Sequence, residues 1–251
     1  MQKKIYFASD FHLGIPDHDQ SLVREKKLVE WLEMTRADAA EIYLMGDLFD
    51  FWFEYQTAIP RGYARLLGKL AEITDSGIPV HLFRGNHDMW AFNYLTQELN
   101  IQLHRDPELR EFNGVKFYLA HGDGLGPGDH GYKFIKKVFA NRFNQWLFRL
   151  IHPDLGISIA LFWSRKSRAV AMEKEKKDEE RNKKLIEERI RVHSLDMISR
   201  HPDLRYLIYG HYHYPIVSPL SQTATQVVLG DWLTHFSYGV FNGERFELKV
   251  W

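Results

Sequence analysis

Ile42-Tyr43-Leu44-Met45-Gly46-Asp47-Leu48-Phe49-Asp50 is an apolar run, then a glycine, then a carboxylate. The run reads as a short buried strand. The glycine lets the backbone turn sharply, so Asp47 is aimed outward at the strand's end. The same arrangement of strand, turn and polar ligand recurs along the chain. Residues 4–9 precede Asp10-Phe11-His12, and Val80-His81-Leu82-Phe83 precedes Gly85-Asn86-His87-Asp88. Residues 115–120 precede His121-Gly122-Asp123, and 205–209 precede Gly210-His211-Tyr212-His213.

Helical spacing fills the gaps in the first half. Leu22, Val23, Leu28, Val29 and Leu32 fall on one helix, a second covers roughly 61–76 and stops at Gly77, and a short one fits 91–98. Strand and helix therefore alternate, which predicts a layered α/β fold with sites at the carboxyl ends of strands. From about residue 108 the pattern changes. Asn113-Gly114 joins 108–112 to 115–120 as a hairpin, and the tail reads as strands at 205–209, 226–229, 236–241 and 245–250. The expected architecture is αββα: two sheets packed face to face and flanked by helices. One domain spanning 1–251 is expected, with a helical insertion at 130–200 serving as a lid.

Composition narrows the function classes. Hydrophobic residues make up 45% of the 251, enough for a sizeable core. The formal net charge is zero, so the chain as a whole has no long-range pull on nucleic acid. With no cysteine, disulfides and thiolate catalysis are both excluded. The N-terminal apolar run is too short for a signal peptide and ends in Asp10, and no stretch approaches ~18 uncharged apolar residues. A cytoplasmic location is expected. The sequence carries no signal for an oligomeric state.

Seven side chains are candidate metal ligands: Asp10, His12, Asp47, Asn86, His121, His211 and His213. Mixed oxygen and imidazole ligands suit borderline divalent ions. Asp-x-His and His-x-His place two side chains on one face if the segment is extended. Asp47 has two oxygens and can bridge a pair of ions, and Asn86 adds an oxygen without adding charge. Paired cations ~3.5–4 Å apart neutralise phosphate oxygens and acidify a shared water, which is phosphoryl-transfer chemistry. His87, next to the ligand Asn86, is the candidate to protonate a leaving group, with Asp88 to orient it. Asp50 and Asp123 are candidates to fix imidazole tautomers.

The order of these motifs resembles the calcineurin-like metallophosphoesterases, over residues 8–213. The resemblance implies an αββα fold. It also implies one ion held by Asp10, His12, Asp47 and His213, and another by Asp47, Asn86, His121 and His211. Two divalent ions are implied, manganese foremost and iron or zinc as alternatives. The stretch His121-Gly122-Asp123-Gly124-Leu125, with Asp129 and Tyr132 following, resembles one branch, the UDP-2,3-diacylglucosamine diphosphatases of lipid A synthesis. That branch implies cleavage of a lipid-linked nucleotide to UMP and 2,3-diacylglucosamine 1-phosphate. Substrate contacts would come from Asn86, His87, Asp129, Tyr132 and His211. The branch usually carries Arg where this chain has His87. Other nucleotide or lipid phosphodiesters remain as alternative substrates, and a non-catalytic scaffold as an alternative of another class.

The insertion supports an amphiphilic substrate through its composition. Between Lys133 and Arg168 stand eight Lys and Arg against one acid, Asp154, interleaved with Phe134, Phe139, Phe143, Trp146, Phe148, Phe162 and Trp163. Cations beside large apolar residues describe a surface that meets anionic headgroups, so peripheral contact with the inner membrane is expected through 133–168. Packing of the same aromatics against the sandwich is the structural alternative. Arg165, Lys166 and Arg168 are further candidate phosphate or headgroup contacts. The charge-dense run Glu173 to Lys184 reads as an exposed helix face.

Overall fold

The computed structural model describes residues 3–126, 128, 130–164 and 179–251. The first half alternates as expected: β1 (Lys4–Ala8), α1 (His18–Arg36), β2 (Ala39–Leu44), α2 (Ala64–Asp75), β3 (Val80–Phe83), α3 (Tyr94–Leu99) and β4 (Gln102–His104). The hairpin of β5 (Glu108–Phe112) and β6 (Val115–Ala120) follows. Next come α4 (His130–Ala140), α5 (Arg142–Arg149), a helical stretch α6 at 153–164, and α7 (Glu179–Arg200). The tail is β7 (Leu204–Tyr209), β8 (Pro215–Pro219), β9 (Thr225–Leu229), β10 (Ser237–Phe241) and β11 (Phe246–Val250).

These strands form two mixed sheets, ordered β11-β10-β1-β2-β3-β4 and β5-β6-β7-β9-β8. In the first, β1 to β4 run parallel, and β10 closes onto β1 antiparallel. In the second, β6, β7 and β9 are parallel. Alternation along each strand supplies both faces. Ile5, Phe7, Tyr43 and Met45 point toward Phe117, Leu119, Ile208 and Val227 of the facing sheet. Tyr6, Ala8, Ile42 and Leu44 point the other way, onto Leu28, Trp31 and Leu70 of α1 and α2. On the far side of the second sheet, Leu207 and Tyr209 meet Ile190 of α7. The layers are therefore helix, sheet, sheet, helix, as expected. Strands buried on both faces are continuously apolar, which is why they were legible as runs.

Two strands were not anticipated. β4 is three residues long, too short to show alternation, and exists through its pairing with β3. β8 begins and ends in proline, which reads against a strand. It lies at the sheet's edge, where the missing N–H groups cost no ladder bond. α1 starts earlier than its apolar stripe because Asp17 caps it, accepting from the Gln20 amide at 2.9 Å.

The insertion leaves the sandwich after β6 and returns at β7, two strands that pair side by side. Its aromatics divide into a set packed on the sandwich and a set left exposed. Phe148 packs on Phe53 and Trp90 at ring distances of 4.7 and 4.8 Å, and Trp90 Nε1 donates to the Phe139 carbonyl. Phe134, Phe143, Trp146, Phe162 and Trp163 stay exposed. The described part of the charged run, residues 180–184, is exposed apart from half-buried Asn182. No helix among the described residues is long and apolar enough to cross a membrane.

Phe117 is fully buried between the sheets and stacks on Phe7 at 6.1 Å. Phe117→Ala should lower the unfolding free energy by about 3–5 kcal/mol in denaturant titration. Exposed Val23→Ala should change it by less than about 0.5 kcal/mol.

Candidate metal centre

All seven candidate ligands follow strand ends: Asp10 and His12 after β1, Asp47 after β2, Asn86 after β3, His121 after β6, and His211 and His213 after β7. Because β1 to β3 are parallel neighbours, and so are β6 and β7, the five loops emerge on one edge of the sandwich. Backbone bonds lace them together. The Asp10 amide donates to the Gly46 carbonyl (3.1 Å), that of His12 to Asp47 (2.9 Å), and that of Gly210 to His121 (2.8 Å). The two sheets are joined where the His211 amide donates to Asp10 Oδ2 at 2.8 Å.

Five of the ligands adopt left-handed backbone: Asp10 (φ 59°), His12 (43°), Asp47 (53°), His211 (69°) and His213 (62°). The spaced pairs reach one place by this route, and the strand alternation expected from sequence is not the cause, since β1 ends at Ala8 and β7 at Tyr209. Each such residue costs roughly 1–2 kcal/mol, so the surroundings must hold it there. Arg24 of α1 is one such restraint. It is buried and donates to the carbonyls of Phe11 (2.8 Å), His12 (2.8 Å) and Ile15 (2.5 Å). A helical arginine looks like a surface residue in sequence, and nothing there signals this role.

Two ligand groups result, with Asp47 between them. In one, Asp10 Oδ1 lies 3.7 Å from His12 Nε2 and 3.6 Å from His213 Nε2. In the other, His121 Nε2 lies 3.4 Å from both Asp47 Oδ2 and Asn86 Oδ1, with His211 completing the group. The same Asp47 Oδ2 is 3.7 Å from His12 Nε2, so this single oxygen faces both groups. Two donors held ~2.1 Å from one ion stand roughly 3.0–3.4 Å apart, close to these spacings. Asp10 Oδ1 is buried with no hydrogen-bond partner among the described residues. A buried carboxylate oxygen in that condition is costly, and a cation removes the cost. The residues present therefore fit divalent ions.

The imidazoles are held in the tautomer that metal binding needs. His121 Nδ1 donates to the Met45 carbonyl at 2.7 Å. His12 Nδ1 faces Asp50 Oδ1 at 3.4 Å, and His213 Nδ1 faces Asp231 Oδ2 at 3.3 Å. Each leaves Nε2 as the open lone pair. Asp231 was missed in sequence, although Leu229-Gly230-Asp231 repeats the strand, glycine and carboxylate arrangement of residues 45–47. It is buried, yet His213 and His235 hold its carboxyl well below the usual range. Burial likewise opposes ionisation of Asp47, and His121 and His87 overcome it, holding that carboxyl low. In return, Asp47 and Asp10 push His121 up to about 10 against the effect of burial. Burial and the neighbouring His121 charge push His211 down to about 4.

Asp88 and Asp123, expected to orient imidazoles, have these partners in the structure. Asp88 accepts from the amides of Gly85 (2.7 Å) and Leu48 (2.8 Å), bracing the two loops on either side of Asp47. His87 is instead oriented by Asp50, whose backbone carbonyl accepts from His87 Nδ1 at 2.7 Å. Burial, with Asp47 adding to it, raises the Asp88 carboxyl to about 6. Among the described residues, the hydrogen-bond and ion-pair partners of Asp123 lie on α4 and not on an imidazole. It accepts from Tyr132 (2.7 Å) and Lys136 (2.6 Å), tying α4 to the centre. The Tyr132 ring stands 6.0 Å from that of His211. From the end of α6, midway along the insertion, Ser164 Oγ donates to Asp50 Oδ2 at 2.6 Å. Asp129, Arg165, Lys166 and Arg168 lie outside the described residues.

The calcineurin-like phosphoesterase family model matches residues 3–215. The chain belongs to that family. This phosphoesterase is 36% identical to the UDP-2,3-diacylglucosamine hydrolase of Porphyromonas gingivalis, covering 99% of this chain and 98% of that protein. It is 25% identical to the protein of the same name from Vibrio atlanticus, over 98% of this chain and 96% of the other. Among solved structures, wild-type Vps29 with zinc from Entamoeba histolytica aligns at 12% identity with a TM-score of 0.43, covering 98% of this chain and 89% of that one.

Asp231→Ala in this phosphoesterase removes the acceptor for His213 Nδ1. Divalent-metal affinity should fall by roughly 10–100-fold, as carboxylates behind histidine ligands do. Calorimetric titration with manganese checks this, with circular dichroism confirming an unchanged fold.

Proposed function

We propose that this phosphoesterase uses two divalent ions, manganese foremost, to hydrolyse the pyrophosphate of UDP-2,3-diacylglucosamine. The products would be UMP and 2,3-diacylglucosamine 1-phosphate, formed at the cytoplasmic face of the inner membrane. The observation that supports this most is that the insertion, with its exposed aromatics, is hydrogen-bonded at two points to carboxylates beside the ligand cluster, Tyr132 to Asp123 and Ser164 to Asp50. The full-length similarity to proteins named for that substrate supports the reading.

One ion would be held by Asp10, His12, Asp47 and His213, the other by Asp47, Asn86, His121 and His211. Bound there, the ions supply charge to the phosphate oxygens and acidity to a water. The chain's own residues supply the rest. Asn86 and His211 stand where phosphate oxygens would approach. His87 is partly exposed beside the buried ligands, and its Nδ1–H is committed to the Asp50 carbonyl. Its Nε2 is left to deliver a proton to the leaving oxygen. Asp50 couples this group to the lid, since its carboxylate also takes the Ser164 hydroxyl. Tyr132 and Asp129 would contact the sugar and nucleotide, and Arg165, Lys166 and Arg168 the phosphates or headgroups. Phe134, Phe143, Phe162 and Trp163 would meet acyl chains or the membrane surface. The imidazole of His87, where related diphosphatases usually carry Arg, favours a second reading: another nucleotide or lipid phosphodiester.

Manganese-loaded protein incubated with UDP-2,3-diacylglucosamine should release UMP, and chelation should abolish the release. Turnover of soluble phosphodiesters with no UMP from the lipid nucleotide would select the second reading. His87→Gln should lower kcat by about 10²–10⁴ with little change in metal content, as loss of a general acid does. Phe162→Ser/Trp163→Ser should weaken sedimentation with anionic vesicles by about tenfold or more, given ~1.5–3 kcal/mol per buried aromatic.

A further inference from the structure

The loop between β9 and β10, residues 230–236, reaches the metal centre at three points. The Trp232 amide donates to the Asp10 carbonyl at 3.1 Å. The Trp232 ring packs at 5.2 Å on that of Phe11, which stands between the ligands Asp10 and His12 in the chain. Asp231 Oδ2 faces His213 Nδ1 at 3.3 Å. The other oxygen of that carboxylate is turned back into its own loop. Oδ1 accepts the amides of Thr234 and His235 at 2.9 Å each, and His235 Nδ1 lies 3.3 Å from it. One carboxylate thus joins two imidazoles, His213 in the ligand group with Asp10 and His12, and His235 outside that group.

An aspartate that only closes a turn needs no histidine, since two backbone amides already satisfy Oδ1. The His235 imidazole is a further donor on the same oxygen. Facing an ionised carboxylate, its Nδ1 carries the proton. Burial opposes that ionisation, and the hydrogen bonds from His213 and His235 overcome it, holding the Asp231 carboxyl low. The His235 ring is partly exposed and stands 6.2 Å from the ring of Tyr214, the residue after His213.

The torsion that turns a carboxylate about its Cβ–Cγ bond is soft. A metal-ligating imidazole depends on the group behind it, which fixes both its tautomer and its ring orientation. A donor that pins Oδ1 therefore also aims Oδ2. The supports of the other two imidazoles follow the same logic. His121 is backed by the Met45 backbone carbonyl, which has no such torsion. His12 is backed by Asp50 Oδ1, and the Ser164 hydroxyl holds the second oxygen of Asp50.

We propose that His235 is a positioning residue for the metal centre: acting through Asp231, it holds the His213 imidazole with Nε2 toward the ion assigned to Asp10, His12, Asp47 and His213. The assignment rests on the two-ion reading proposed above and deepens it.

The test is calorimetric titration of the chelator-treated full chain with manganese, run as a double-mutant cycle over His235 and Asp231. His235→Ala should weaken one manganese site by about two- to tenfold, the net worth of one hydrogen bond, and leave the other nearly unchanged. His235→Asn, whose side-chain NH2 stands as many bonds from Cβ as Nδ1 does, should restore most of the loss. In the Asp231→Ala background, His235→Ala should cost nothing further, because the link is already cut. A loop loosened for purely structural reasons would instead lose affinity in both backgrounds, with no rescue by Asn. His235→Leu serves in the same cycle if the alanine variant fails to fold. Unchanged affinity in the folded variants overturns the proposal, and so do equal losses with and without Asp231. Tighter binding also overturns it, since His235 would then be competing with His213 for the Asp231 charge. A single manganese bound per parent chain would sink the two-ion reading, and the cycle at that one site still decides the role of His235.

Discussion

The Asp47 carboxylate, almost fully buried and facing imidazoles on two sides, is the constraint on which the rest of the structure depends. Its Oδ1 accepts the His87 amide at 2.9 Å, which leaves Oδ2 to face His12 and His121. Burying that charge is tolerable only among matched partners. The partners come from different parallel strands, so the sheets must be in register for the centre to exist. Close approach is part of the same requirement. A side chain on Gly85 would collide with the Asp47 carboxylate, and one on Gly46 with the His121 ring.

The sandwich stores strain at this edge and opposes it from outside. Left-handed ligands sit at the tips of loops that are laced to each other, held from α1 by Arg24, and backed by Asp50 and Asp231. Both large cores lie directly beneath, so loop positions inherit the rigidity of packed aromatics such as Phe7, Tyr43 and Phe117. This arrangement orients lone pairs before anything binds, which is how a preorganised site avoids reorganisation at the moment of reaction.

The insertion adds what the sandwich lacks. The sandwich presents a polar edge, while the insertion presents aromatics and cations on helices that touch the centre through Asp123 and Asp50. Phe148 and Trp90 anchor it, and Phe134, Phe162 and Trp163 stay exposed.

Much of this was legible in the chain itself. Runs such as Ile42–Met45 are apolar because both faces of their strands are buried, and the ligand types and their order after strands announced the centre. What could not be read were relationships without a local signature. Proline-bounded β8 became a strand only because it lies at an edge, and Asp88 and Asp123 took structural partners that sit elsewhere in sequence. Arg24 gained meaning from the carbonyls of Phe11, His12 and Ile15 in the loop that folds back beside its helix. Sequence by itself determined which residues could bind metal and which segments had to be buried, since those follow from side-chain chemistry and local period. Tertiary structure alone decided which carboxylate oxygen faces both ligand groups and which acceptor backs each imidazole, because those depend on distances between chain segments.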